Sequence, residues 1–172
     1  MIEYRITTPA DIDLLMESRL VMLREVNHLA PDYEYSEELK NCSREYFLNG
    51  DQTTVLALDD GKVAGCASIS YITVMPTFSH ATGKRSHLMN VYTDPSYRGL
   101  GIARTMVNML IEDAWAKGAT EISLDATTMG RPLYEKLGFK ASSEAMVLNK
   151  DGSTSCCASA SACSCSCSKK ED

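Results

Sequence analysis

Residues 90–110, NVYTDPSYRGLGIARTMVNML, run a strand-like stretch into a proline, a glycine-spaced turn and a long amphipathic repeat, with no spacer between them. Asp94-Pro95 ends the strand, because a proline cannot continue the ladder and biases its neighbour. Beyond the turn, Ile102, Met106, Leu110 and Ala114 recur at helical spacing beside Ala103, Val107 and Ile111, and Gly118 ends the helix. The first turn of a helix that follows a strand offers backbone N–H groups with no internal partner, together with the positive end of the helix dipole. Gly99, Gly101 and Ala103 keep that entrance free of bulky side chains, and Arg98 and Arg104 add positive charge. The pattern is that of an anion site. No Gly-Lys-Ser/Thr follows, so this is not a nucleotide-binding P-loop, and Gly-x-Gly alone is not a dinucleotide fingerprint. For an isolated Gly-x-Gly the plainer reading is a tight turn whose glycines serve only packing; the flanking elements decide the matter.

Outward from this junction, the chain reads as alternating elements. EYRITT opens as a strand, and Thr8, Pro9 and Asp11 then carry helix-start chemistry, with Thr8 as the capping hydroxyl. Ile12, Leu15, Met16, Leu20 and Leu23 form one helical stripe. A second helix starts at Ser36, presents Leu39, Cys42, Tyr46 and Phe47, and closes at Gly50. TTVLAL, DDGK and VAGCASISYITVM form a hairpin, TFSHATGKRS a polar loop and HLMNVYT the next strand. After the long helix come a short strand, TEISLD, a short helix, RPLYEKL, stopped by Gly138, and a final strand or pair in FKASSEAMVL. Helices early, an antiparallel meander, then strand–helix–strand–helix–strand imply a mixed α/β layer fold on one central sheet.

The 172 residues amount to one domain, expected over residues 2–150. The formal charge of −6 argues against nucleic acid or an anionic membrane as partner, though a local site can be positive on a negative protein. The N-terminus lacks the basic and then apolar pattern of a secretory signal, and no apolar run reaches membrane-span length, so cytoplasmic residence is expected. Cys42 and Cys66 read as small buried apolar residues, not as a disulfide framework.

Arg98-x-x-Gly101-x-Ala103 after VYTDP resembles the acyl-coenzyme A signature of the GNAT acetyltransferase superfamily. RPLYEKLGF, residues 131–139, is similar to that family's later motif, a short helix carrying a tyrosine and then Gly-Phe. The resemblance covers roughly residues 2–149. It implies the GNAT fold: a mixed, mostly antiparallel sheet flanked by helices, with the fourth and fifth strands splayed. It further implies that Arg98, Gly99, Leu100, Gly101, Ile102 and Ala103 cradle the pyrophosphate of acetyl-coenzyme A (acetyl-CoA), with Arg104 toward a phosphate or in solvent. Backbone groups of Val91, Tyr92 and Thr93 would pair with the pantetheine arm, and Asp125, Ala126 and Thr127 would line its other side. Thr128 or Met129 stands near the position of a cofactor-touching asparagine in many relatives.

The implied reaction is attack of an amine on the thioester, through a tetrahedral intermediate that backbone N–H groups near Tyr92 stabilise. Tyr134 takes the position of the tyrosine that protonates the leaving thiolate, and it would also touch the cofactor. Many relatives use a glutamate on the fourth strand as base. Met89 and Asn90 stand there instead, leaving His87, His80 or a water chain. Met16, Glu17, Leu20, Met22, Tyr33, Tyr71 and Phe78 are candidate acceptor-site residues, and Glu17 and Glu34 would suit a cationic amine. The expected partners are acetyl-CoA and an amine of a small molecule or peptide, with a homodimer as a further expectation and no metal. An acyl-CoA sensor without catalysis is the alternative, motivated by the missing carboxylate.

Residues 151–172 are almost entirely serine, alanine and cysteine, with Cys156, Cys157, Cys163, Cys165 and Cys167 crowded together. Such a segment cannot bury enough apolar surface to offset ordering and is expected to be disordered. Soft-metal capture, maturation to azoles, a carrier role for the body and an extension without function all remain open for it.

Overall fold

The computed structural model describes residues 1–142 together with Met146, Leu148 and Lys150. The chain divides into two compact units, Met1–Leu124 and the segment from Asp125 onward. In the first unit β1 (Ile2–Ile6), α1 (Ile12–Val26), α2 (Glu37–Asn49), β2 (Gln52–Asp59), β3 (Lys62–Thr73), β4 (Lys84–Thr93), α3 (Ile102–Ala116) and β5 (Ile122–Leu124) follow in order. In the second, α4 spans Arg131–Lys136. Of the expected last strand, the described residues 139–142, 146 and 148 form no strand, residues 143–145 and 147 lie outside the described residues, and so does the whole tail 151–172.

The sheet has the order β1-β2-β3-β4-β5, with antiparallel pairs up to β4 and a parallel β4–β5 pair. This is the mixed, mostly antiparallel sheet that the sequence predicts. Its two faces are covered by different helices, as the β3 alternation shows. A Cβ added at Gly65 would meet Met106 and Ile102 of α3, whereas the adjacent Cys66 packs with Leu15, Met16 and Met22 of α1. Successive strand residues point to opposite faces, so α1 and α3 lie on opposite sides. Coverage on both sides explains why β2 is buried from Thr53 to Leu58.

One local expectation gains detail and one changes. Before α1, Thr8 is the N-cap residue as read, in a capping box with Asp11, whose carboxylate accepts the Thr8 N–H at 2.8 Å and the Thr8 hydroxyl at 3.2 Å and pairs with both terminal nitrogens of Arg5 at 2.6 and 2.7 Å. These donors hold the Asp11 carboxyl down at about 2, with the Arg5 hydrogen bond as the largest cause. Cys42 is exposed, because α2 turns Leu39, Tyr46 and Phe47 inward and leaves position 42 off that face. Cys66 is buried as expected, and burial raises its thiol to about 11.

Candidate active site

The β4–α3 junction is pinned before it opens. The Asp94 N–H extends the β3–β4 ladder to Ala64 O at 3.0 Å, and the Asp94 carboxylate accepts the Ser96 N–H at 2.9 Å in a short 3-10 turn, Pro95–Tyr97. The Tyr97 hydroxyl donates to Asp59 at 3.2 Å, tying the turn to the end of β2. Gly99 and Gly101 then take left-handed backbone angles, φ 80° and 79°, and Gly101 caps α3. Few L-residues adopt this conformation, which is why glycine stands at both positions.

A Cβ at Gly99 or Gly101 would meet nothing within 4 Å. The entrance is open. The first helical bond, Thr105 N–H to Gly101 O, is 3.1 Å, and among the described residues the N–H groups of 99–104 have no hydrogen-bond acceptor. Leu100 and Arg104 are exposed, Ala103 is partly so, and Ile102 is buried beneath the turn. The residues therefore present bare amides at the positive end of a 15-residue helix, an arrangement that fits a phosphate group.

Arg98 sits differently from the simple expectation of a guanidinium at the turn. Its Nη2 pairs with Glu25 of α1 at 2.7 Å, and its Nε donates to Thr93 O at 3.2 Å. Tyr92 is buried, with its hydroxyl 3.5 Å from the same Glu25. Burial and the neighbouring Glu25 charge push this phenol up to about 12. The side chains of Tyr92 and Arg98 therefore bind the junction to α1, so only their backbone faces the site in this arrangement.

β4 departs from a regular strand where the chemistry was expected. Ser68 pairs with Met89 and Cys66 with Tyr92, so Asn90 and Val91 together oppose Ala67 in a β-bulge. Asn90 has φ 55°. The parallel partner β5 pairs only with Ser86, His87 and Leu88. Among the described residues, positions 89–93 consequently have a strand on one side only. Pairing with β5 stops at Leu88, just before the bulge, and among the described residues that half of β4 has an edge without a strand partner, able to pair with an extended ligand.

The α1/α2 face of this region carries a polar cluster. Asn90 Oδ1 accepts from Arg19 of α1 at 3.0 Å, the Tyr46 hydroxyl of α2 is 2.6 Å from Ser70 Oγ, and Ser70 Oγ is 3.8 Å from Met89 Sδ. His87, two residues before Met89, shares this face, and its Nδ1 is 2.9 Å from Ser123 Oγ. His80 is engaged elsewhere, at 3.0 Å from Thr120 and 3.4 Å from Glu121. Met16 and Met22 belong to the core and not to an acceptor surface. Tyr71 is bound into a network with Thr53, Asp113 and Lys117. Phe78 and Tyr33 are exposed, as are Glu17 and Glu34.

Within the second unit, Thr127 organises the start of α4. Its carbonyl accepts the N–H groups of Gly130 and Arg131 at 3.1 and 3.0 Å, and its hydroxyl accepts the Gly130 N–H at 3.1 Å. Ala126 immediately precedes it. Tyr134 lies half-buried on α4, edge-on to Phe139 with ring centroids 5.9 Å apart. Burial raises its phenol above the ordinary value, keeping the proton on.

The Asn90 bulge and the Arg19 contact were not anticipated. Both left traces in the sequence: asparagine is enriched at positive φ, and Arg19 stands on the apolar seam between Leu15 and Met22.

Comparison with known proteins agrees with this geometry. The model of the acetyltransferase (GNAT) family matches residues 20–139. A glucosamine 6-phosphate N-acetyltransferase of Trypanosoma brucei brucei is 35% identical over 89 residues, 52% of this chain and 58% of that protein, so the match spans little more than half of that relative's length. Glucosamine 6-phosphate N-acetyltransferase 1 of Oryza sativa is 26% identical over 115 residues, 66% of this chain and 70% of that protein. A protein of Clostridium acetobutylicum described as a predicted acetyltransferase and solved with acetyl-CoA superposes with a TM-score of 0.77. It is 31% identical and covers 87% of this chain and 96% of its own. With an open turn at the head of α3, a parallel β4–β5 pair that stops before the β4 bulge and a family match over 120 of its residues, the chain belongs to the GNAT acetyltransferase family.

Proposed function

We propose that this protein transfers the acetyl group of acetyl-CoA to the amine of a small molecule or peptide, by direct attack while both are bound. The carrying observation is the row of N–H groups at residues 99–104, which lack acceptors among the described residues, beside Gly99 and Gly101, where an added Cβ would meet open space. These amides would hold the pyrophosphate, with Arg104 adding charge. The β4 edge at Val91, Tyr92 and Thr93, which among the described residues has no strand partner beside β3, would take the extended arm, and Ala126 and Thr127 would line it. Because the amine must bond to the acyl carbon with loss of thiolate, one group must remove a proton from the amine and another must return one to sulfur. Tyr134, held protonated by burial, is the proposed donor to sulfur. His87 is the proposed base: it stands on the strand where a carboxylate would otherwise serve, and Ser123 Oγ sits against its Nδ1.

Relatives named for glucosamine 6-phosphate support an amine acceptor, and an amino sugar phosphate is the first compound to try. Thiol release is to be measured with acetyl-CoA and a panel of amino sugars, amino acids, polyamines and peptides, with and without residues 153–172. Release with at least one amine is the expected result. Firm acetyl-CoA binding with no release across the panel would favour a sensor over an enzyme.

A further inference from the structure

We infer that the acceptor carries an acidic group, a carboxylate or a phosphate, and that Arg19 binds it. The inference rests on the transferase reading above and deepens it. Arg19 is half-buried between α1 and the sheet, and among the described residues its hydrogen bond goes to a neutral amide oxygen, Asn90 Oδ1 at 3.0 Å. The ionisable groups around it are Cys66, Tyr46 and Tyr35. Neither Cys66 nor Tyr46 supplies a negative charge near neutrality: Cys66 lies at about 11, and burial raises Tyr46 as well. Among the other partly buried arginines of the described residues, Arg24 has an unpartnered Nε, whereas two carry a carboxylate partner. Arg5 has Asp11 at 2.6 Å, and Arg85 has Glu121 at 3.3 Å.

A guanidinium withdrawn from water without a counter-charge is costly, and a chain with 23 acidic residues had ample means to supply one. Bracing the bulge would need only one N–H, whereas arginine brings five donors in a planar fork matched to carboxylate and phosphate. The place of this fork is informative. It touches Asn90 at the bulge, just beyond the last β4–β5 pair, on the face that also carries Tyr46, Ser70, Met89 and His87. An amine approaching an acyl group held along the edge of β4 passes this cluster. An acid on the same molecule would then complete the charge balance of Arg19, and Tyr46 would add a hydroxyl.

The test uses matched acceptor pairs with the full chain: glucosamine 6-phosphate against glucosamine, and glycine against glycinamide. We expect a 10- to 100-fold preference in kcat/KM for the charged member of one pair, the magnitude of a charge-assisted hydrogen bond. The phosphate and carboxylate pairs tell which acid is read. Arg19→Met should abolish the preference mainly through KM, and Arg19→Lys, which keeps charge without the fork, should retain part of it. Acetyl-CoA affinity within twofold of wild type controls for folding. Preference for the neutral members, or a preference that survives Arg19→Met, overturns the role of Arg19 while leaving the transferase reading in place. Acetyl-CoA binding with no turnover of any member overturns both.

Discussion

Gly101→Val tests the site at its most exposed assumption. The residue has φ 79°, and a Cβ there meets no protein atom within 4 Å. Any effect on folding therefore comes from backbone strain and not from collision. A left-handed conformation costs an L-residue about 1–2 kcal/mol, more when it is β-branched. At about 2–4 °C per kcal/mol for a chain this size, the thermal midpoint should fall by about 2–8 °C. The effect on binding should be larger and separable. The valine methyls would project into the space in front of the Ile102, Ala103 and Arg104 amides, which is where the phosphates would dock. Displacing one or two charge-assisted hydrogen bonds at about 1.5–3 kcal/mol weakens acetyl-CoA by about 10- to 100-fold or more. Gly101→Asn supplies the control, since asparagine tolerates this backbone and isolates the effect of bulk. Titration calorimetry with acetyl-CoA on wild type and both variants, beside thermal melts, reads both quantities. If the valine variant melted lower yet bound acetyl-CoA with unchanged affinity, the phosphate assignment of this turn would be wrong.

Other expectations follow from the same geometry. Tyr134→Phe should lower kcat about 100-fold or more while leaving acetyl-CoA affinity within twofold, as for loss of a general acid; thiol release and calorimetry measure the two. The Asp11 carboxyl titrates lower folded than unfolded, so its contribution to stability is complete above about pH 4 and is lost as pH falls toward about 2. Urea midpoints between pH 5 and 2.5 should decline, and Asp11→Asn should lower the pH 5 value and flatten the decline. Brief alkylation at pH 7.5 followed by peptide mapping should label Cys42 and spare Cys66 until the protein unfolds. Tyr71→Phe should lower the thermal midpoint by about 2–4 °C, because it removes a hydroxyl from the network with Thr53 and Asp113 without changing packing.

The parts of the fold that depend on neighbouring residues were legible in advance. The α3 stripe of Ile102, Met106, Leu110 and Ala114 is buried as read, Ser36 and Gly50 bracket α2, and the DDGK turn joins β2 to β3. The boundaries of β4 moved, since Lys84 and Arg85 pair with Thr73 and Ile72 although they read as loop. Pairing across a hairpin can extend a strand through residues whose own preferences are weak. Cys42 was misplaced because a two-turn apolar pattern leaves the direction of its helix face uncertain by a residue or so, and only packing against the sheet settles it.

By itself, the sequence determined the chemistry held in the backbone: two glycines that alone accept the turn before α3, a helix start with unpartnered amides, and the order of strands and helices around it. These are short-range properties, set by φ angles and by hydrogen bonds spanning a few positions. The tertiary structure decided which distant side chains meet. It placed Arg19 against Asn90, 71 residues away, turned Arg98 to Glu25, 73 residues away, and put the β4 bulge just beyond the last residue paired with β5. Such meetings depend on sheet register and helix docking, which the whole core settles together, and no local pattern encodes them.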